Sequence, residues 1–219
     1  MRIPVAKEGL LFILPSLLLS LLCCVLHLYA PAVLFGLLFF FFLYFFRNPA
    51  RSAASAGDEL ISPADGHVMG VEDLVEGQFL REKVRRISIF MSLSDVHVNR
   101  APCEGTIERV EHRRGRFKLA FKKGIDDENE RNYILLTRGA ERFLVVQIAG
   151  FLARRIICYV RERQSVAKGA IVGMIALGSR VDLYMPCEYE PLVKGGQKVK
   201  SGLTVLARKR GEDHGKEEA

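Results

Sequence analysis

Hydrophobic and polar positions divide the chain into two unlike parts. Residues 9–46 form one apolar run of 38 residues with no formal charge, counting His27 as neutral. From Arg47 onward charges recur throughout, and short apolar runs alternate with turn residues. The first run exceeds a signal-peptide core of ~7–15 residues and is longer than one ~20-residue span. Pro31 divides it. Residues 10–28 are long enough to span a bilayer, whereas 32–46 reach only roughly 22 Å at ~1.5 Å per residue, short for a ~30 Å hydrocarbon core. Arg2 and Lys7 precede the run, and Arg47 and Arg51 follow it. Positive flanks at both ends predict a helical hairpin with both ends in the cytoplasm; one long tilted or kinked span is the alternative. Phe39-Phe40-Phe41-Phe42 leaves no polar face, which argues against a core helix of a soluble protein.

Residues 52–57 (Ser-Ala-Ala-Ser-Ala-Gly) are small and polar and read as part of a linker, 47–57. Beyond it, 84–93, 133–137, 142–149, 154–160, 170–177 and 199–207 are rich in β-branched and aliphatic residues. Their spacing predicts a mainly β sandwich or barrel over 58–210 with few helices. Residues 118–132 read as a charged helix or loop, and 211–219 as a charged, frayed tail. Ser62-Pro-Ala-Asp-Gly-His-Val68 and Ala101-Pro-Cys-Glu-Gly-Thr-Ile107 share the form P-x-x-G-x-[VI], a weak internal repeat. Lys194-Gly-Gly-Gln-Lys-Val-Lys-Ser-Gly202 resembles the turn-and-strand segment of biotinyl and lipoyl carrier barrels, which are swapped-hairpin β folds.

The formal net charge is +7, of which Arg2, Lys7 and Glu8 contribute +1 within the first 46 residues. A basic chain favours an acidic partner. The apolar run makes that partner an anionic membrane surface rather than nucleic acid. Arg109, Arg113, Arg114, Arg116 and Lys118 form one basic stretch and Arg81, Lys83, Arg85 and Arg86 another; each is read as a lipid-attracting patch or as a solvated strand face. The five cysteines show no CxxC spacing, which fits a reduced domain facing the cytoplasm from the cell membrane and disfavours structural zinc.

Four further segments occur in order. They are Phe46-Arg-Asn-Pro-Ala-Arg51, Ser62-Pro-Ala-Asp-Gly66, Phe90-Met-Ser-Leu-Ser-Asp-Val-His-Val-Asn-Arg-Ala-Pro102 and Leu177-Gly-Ser-Arg180. Together they resemble the phosphatidylserine decarboxylases, in particular the short proenzymes with a Gly-Ser-Arg cleavage site. Glu128-Asn-Glu-Arg-Asn132 and Gln147-Ile-Ala-Gly-Phe-Leu-Ala-Arg-Arg-Ile156 resemble family segments as well.

Decarboxylation of an amino acid needs an electron sink that no ordinary side chain supplies. The sequence shows no Rossmann fingerprint, no P-loop and no marked pyridoxal lysine. The resemblance implies a pyruvoyl cofactor made from the chain itself. The Ser179 hydroxyl attacks the Gly178 carbonyl, and β-elimination releases a β chain (1–178). The dehydroalanine left at position 179 hydrolyses to pyruvoyl at the head of an α chain (179–219). Glycine at 178 allows close approach of the nucleophile. Phosphatidylserine is then the expected substrate, held as a Schiff base and released as phosphatidylethanolamine and CO₂. A homodimer is implied by the resemblance alone.

Asp65 and His97 are the acid–base candidates, since a carboxylate can fix an imidazole's tautomer. Longer family members carry two histidines in the Asp-x-His region; here His97 matches the first and Arg100 stands at the second. Arginine is a poor base. His97 serving both steps, substitution by His67, and strain-assisted cleavage all remain open. A rival reading is a membrane-tethered carrier or adaptor domain of the biotinyl/lipoyl type, which gives Gly178-Ser179 no role.

Overall fold

The computed structural model describes residues 4–53, 57–115, 129–150, 155–175 and 179–211. By internal contacts the chain forms two units: one comprises the chain up to Ala50 together with Ser94–Val96, the other Arg51–Leu93 with the chain from His97.

The first unit is a helical hairpin. A 3-10 turn (Lys7–Gly9) leads into α1 (Leu10–Val25), and α2 (Tyr29–Phe45) returns beside it. The reversal at 26–28 carries His27 at φ 56°. Phe12 near the start of α1 stacks on Phe46 just past the end of α2, so the helices are antiparallel. Ser20 Oγ donates to the Ala32 carbonyl at 2.9 Å between them. The two ends meet: Ala6 N donates to Phe46 O and Asn48 N to Pro4 O. Pro31 does not break α2 as the sequence division suggests. It occupies the first turn, where a missing N–H costs nothing. Both helices expose leucine and phenylalanine over most of their surface. The helical stretch Lys7–Val25 is long and apolar enough to cross a membrane, and α2 is shorter. Within this unit the Ser94 carbonyl accepts hydrogen bonds from Tyr44 Oη and Arg47 Nη2.

The second unit is the expected mainly β fold. Its strands are β1 (Leu60–Ile61), β2 (Gly66–Glu76), β3 (Glu82–Met91), β4 (Val98–Arg100), β5 (Gly105–Arg113), β6 (Arg131–Arg138) and β7 (Glu141–Ala149). Then come β8 (Ile156–Cys158), β9 (Ser165–Val166), β10 (Ile171–Ile175), β11 (Ser179–Pro186), β12 (Tyr189–Pro191), β13 (Lys198–Val199) and β14 (Val205–Lys209). Eight of them form one sheet in the order β13-β2-β3-β11-β7-β6-β5-β9; β4-β10-β8 and β1-β14-β12 form two three-stranded sheets. The run 199–207 is not one strand. Gly202 takes φ 76°, a left-handed conformation that favours glycine, and the resulting turn separates β13 from β14. Of the 118–132 segment, only residues from Asn129 lie among the described residues, and of the tail only Gly211.

Alternation along the large sheet defines two faces. Ile87, Ile89, Val145, Val181 and Leu183 point into the main core. Leu135, Leu144, Val146 and Ile148 form a second, smaller cluster with Phe79 and Leu80 on the other face.

The weak repeat is structural. Gly66 and Gly105 each open the first strand of a hairpin, and a side chain at either would drive into backbone: its Cβ would lie 2.0 Å from Phe90 O or 2.3 Å from Thr137 O. The two copies interlock through Ile61 N to Pro102 O and Arg100 N to Pro63 O, both 2.9 Å. Each pairs with a later turn in the same way. Val68 N donates to Gln197 O and Ile107 N to Gln164 O. Gly66 faces Val199 in one copy and Gly105 faces Val166 in the other. The resemblance of 194–202 to a swapped-hairpin turn thus has a counterpart at 161–169, where Glu162-Arg163 stand in place of the paired glycines Gly195-Gly196.

Candidate active site

Ser179 opens β11, the strand between β3 and β7 near the middle of the large sheet. It opposes Met91 on one side and Ala149 on the other. Its side chain is fully buried and points to the main-core face, as its alternation with Val181 and Leu183 requires. Its hydroxyl donates to Met91 Sδ at 3.4 Å. Gly178 lies outside the described residues.

Over this end of the sheet lies β4-β10-β8. Asn99 on β4 pairs with Gly173 on β10. Its side chain reaches Gln147 on β7 (2.8 Å) and Met91 Sδ (3.7 Å). Gln147 in turn accepts from Asn132 on β6 at 2.8 Å. All three amides are buried. His97 is also fully buried, two residues before Asn99, and its carbonyl accepts from Ile175 N.

Asp65 lies in the turn before β2, within a different cluster. Its carboxylate accepts two hydrogen bonds from Arg51, 2.5 and 2.9 Å, and one from Ser201 N at 2.7 Å. Among the described residues Asp65 has no imidazole partner, so the arrangement does not show it fixing a tautomer. Arg100, the residue standing at the second family histidine, is buried near this corner. Its Nη1 donates to Gly169 O, and its side chain lies against Gly202. Successive residues of β4 therefore serve different places: Asn99 reaches toward Ser179, and Arg100 toward the segment that holds Asp65. His67 is exposed on β2.

Sequence reading missed Arg51, Asn99, Gln147 and Asn132. The last three stand in the motif segments quoted above, but side-chain type alone gives an amide no chemical role. Arg51 also ends a quoted motif, but it reads only as a positive flank of the apolar run and as part of the linker.

Buried Cys103 is no rival nucleophile. Burial pushes its thiol up to about 12, so it stays protonated. Of the two basic stretches, Arg116 and Lys118 lie outside the described residues, and four of the described members are paired with carboxylates. Arg85 binds Asp73, Arg86 binds Glu72, and Arg109 and Arg113 share Glu111. A groove of about 430 Å³ lined by Arg113, Arg114, Arg131, Tyr133 and Tyr184 includes none of the residues around Ser179.

Comparison with known proteins gives one family. The model of the phosphatidylserine decarboxylase family matches residues 38–207. The phosphatidylserine decarboxylase proenzyme of Carboxydothermus hydrogenoformans is 42% identical over 206 residues, covering 94% of this chain and 96% of the relative. That of Pelobacter propionicus is 42% identical over 213 residues, with the same coverage of each chain. That of Ralstonia nicotianae is 42% identical over 174 residues, covering 79% of this chain and 80% of the relative. The ordered motifs, the mainly β fold and these matches agree, and the chain belongs to the phosphatidylserine decarboxylase family.

Proposed function

We propose that this protein converts phosphatidylserine to phosphatidylethanolamine and CO₂ with a pyruvoyl group formed from Ser179 by self-cleavage. The observation that carries the reading is the setting of Ser179, a serine fully buried at the head of a central strand with its hydroxyl against a thioether. That enclosure suits a ketone that must be shielded from bulk water.

The route begins with addition of the Ser179 hydroxyl to the preceding carbonyl, which turns the amide into an ester. Loss of the proton on Cα and breakage of the Cβ–Oγ bond leave a carboxylate at residue 178. Hydrolysis at position 179 then releases ammonia. When present, the pyruvoyl group supplies a carbonyl that withdraws the electron pair left by departing CO₂. His97 is the proposed proton donor to the substrate carbon that has lost CO₂. What supports it is that His97 is fully buried just before β4, two residues from Asn99, which reaches Met91 and Gln147. Asp65 is assigned a positioning role through Arg51 and Ser201. After cleavage β11 would stay hydrogen-bonded between β3 and β7, so the small chain stays in place.

The hairpin α1–α2 is proposed to anchor the enzyme in the cell membrane, with the β domain on the cytoplasmic side where the anionic headgroup is met. Intact-mass measurement tests the central claim. Active protein should contain two chains divided after residue 178, the smaller one blocked to Edman degradation, and Ser179→Ala should remain one chain. An active preparation consisting only of the intact 219-residue chain would overturn it.

A further inference from the structure

The three buried amides beside Ser179 form a directed chain. Asn132 Nδ2 donates to Gln147 Oε1, and Gln147 Nε2 donates to Asn99 Oδ1, both at 2.8 Å. Asn99 Nδ2 ends the chain on Met91 Sδ at 3.7 Å. Asn132 Oδ1, at the other end, accepts no hydrogen bond among the described residues. Burial of amides is costly unless their hydrogen bonds are made. Here an acceptor is left empty at one end, and the donor at the other rests on a weak thioether acceptor. Apolar residues would fill the same layer without that cost. The backbone is shaped to the chain as well. A side chain at Gly173 would place its Cβ 2.8 Å from Gln147 Nε2 and 2.5 Å from Ile157 O.

The sulfur at which the chain ends is also the one that Ser179 Oγ touches, at 3.4 Å. An N–H donor and the reactive oxygen therefore converge on one atom. Each amide in the chain polarises the next, which strengthens the terminal donor.

We propose that Asn99 is the hydrogen-bond donor to Ser179 Oγ in self-cleavage, with Gln147 and Asn132 as positioning residues behind it. It acts in the elimination. As the Cα proton leaves and the Cβ–Oγ bond breaks, the electron pair moves onto Oγ, which becomes part of the new carboxylate. A donor at that oxygen lowers the barrier for its departure. The assignment rests on the pyruvoyl reading above, and it concerns one step of maturation.

The test uses full-length proenzyme in detergent, with wild-type cleavage as the control. Failure of the wild-type chain to cleave would count against the parent reading. With wild type cleaving, Asn99→Asp should slow self-cleavage about 10²–10³-fold, the usual loss for one donor to a developing oxyanion. The stalled protein should hold the ester in equilibrium with the amide. Neutral hydroxylamine attacks esters and not amides, so it should cut the stalled chain at residue 178 and leave a hydroxamate there. If Asn99→Asp does not fold, the triple variant Asn99→Leu, Gln147→Met, Asn132→Leu replaces every partner in the chain with an apolar side chain of similar size and leaves no orphaned group. It should fold, stall and be cut by hydroxylamine. Self-cleavage at the wild-type rate in a folded variant, or a stall insensitive to hydroxylamine, would overturn the assignment.

Discussion

Ser179 and Met91 oppose each other across β11 and β3, with the serine hydroxyl 3.4 Å from the thioether sulfur. A thioether accepts a hydrogen bond weakly and takes no proton, so Met91 holds the hydroxyl without activating it. Its other task is volume, since it is fully buried in the main core. Met91→Leu keeps volume and should cost under ~1.5 kcal/mol, with self-cleavage within a few-fold of wild type. Met91→Ala should cost about 2–5 kcal/mol. Urea unfolding of the isolated proteins, read beside a cleavage time course, separates the two variants. A complete loss of cleavage in stable Met91→Leu would assign the sulfur a chemical role.

The hairpin predicts how the protein partitions. Its two ends are hydrogen-bonded to each other, through Ala6 to Phe46 and Asn48 to Pro4. Reporter fusions placed before α1 and after α2 should therefore report the same side of the membrane. The exposed leucines and phenylalanines of both helices should hold the protein in the membrane fraction through a high-salt wash, because salt screens charge and leaves apolar burial intact. Extraction should need detergent. Release by salt alone would contradict an inserted hairpin.

A charged cluster should hold the two chains of the mature enzyme together in a pH-dependent way. With the proposed cut after residue 178, Tyr189 and Lys209 fall in the small chain, Arg138 and Glu141 in the large one. The Tyr189 hydroxyl donates to Glu141 at 3.0 Å and accepts from Arg138, and Lys209 Nζ lies 2.9 Å from Glu141. Burial opposes ionisation of Glu141, but hydrogen bonds from Lys209, Arg138 and Tyr189 outweigh it and hold the carboxyl below its usual 4.5. A depressed carboxyl stabilises the fold above the unfolded-state value and loses that contribution as pH falls through the folded one. Urea midpoints should therefore be steady from neutral pH to about 5 and fall below roughly 4.5. Glu141→Gln should lower the neutral midpoint and flatten the acid fall. An unchanged acid limb in that variant would show that the cluster does not govern it.

The legible parts of this structure were those with a local signature. The long uncharged run with positive charge on both flanks pointed to the hairpin, and the P-x-x-G repeat marked two hairpins because only glycine tolerates the opposing carbonyls of Phe90 and Thr137. Ser179 stood out through its ordered motif. The partners of Asp65 did not. Arg51 is 14 residues away in a stretch that reads as linker, and Ser201 is 136 residues away. The amide chain joins β4, β6 and β7, a contact that depends on sheet order and leaves no periodic trace. The counterpart turn at 161–169 was hidden because Arg163 takes φ 66° where the other copy has Gly196 at φ 84°.

The last prediction separates His97 from Asp65. A triad would make them one device, so that Asp65→Asn and His97→Ala should fail alike. The geometry argues for two devices. Asp65 is bound by Arg51 and Ser201, whereas Asn99, two residues after His97, reaches toward Ser179. Asp65→Asn leaves a largely buried guanidinium without its charge partner, for about 3 kcal/mol of destabilisation. The variant should still cleave at low temperature, where enough of it is folded. Arg51→Met together with Asp65→Leu should recover part of the lost stability, because both charges leave together. His97→Ala should behave differently. Its unfolding midpoint should move less than its kinetics, with uncut proenzyme accumulating and the matured fraction turning over lipid ~10²–10⁴-fold more slowly, the usual worth of a positioned acid or base. Cleavage is read on a gel and turnover by release of labelled CO₂, so both steps are measured on one sample, and cleavage at the wild-type rate would confine His97 to decarboxylation. Normal cleavage with near-normal turnover in His97→Ala would remove that residue from the mechanism. Loss of cleavage in Asp65→Asn at unchanged stability would restore the single triad and make the Arg51 pair incidental.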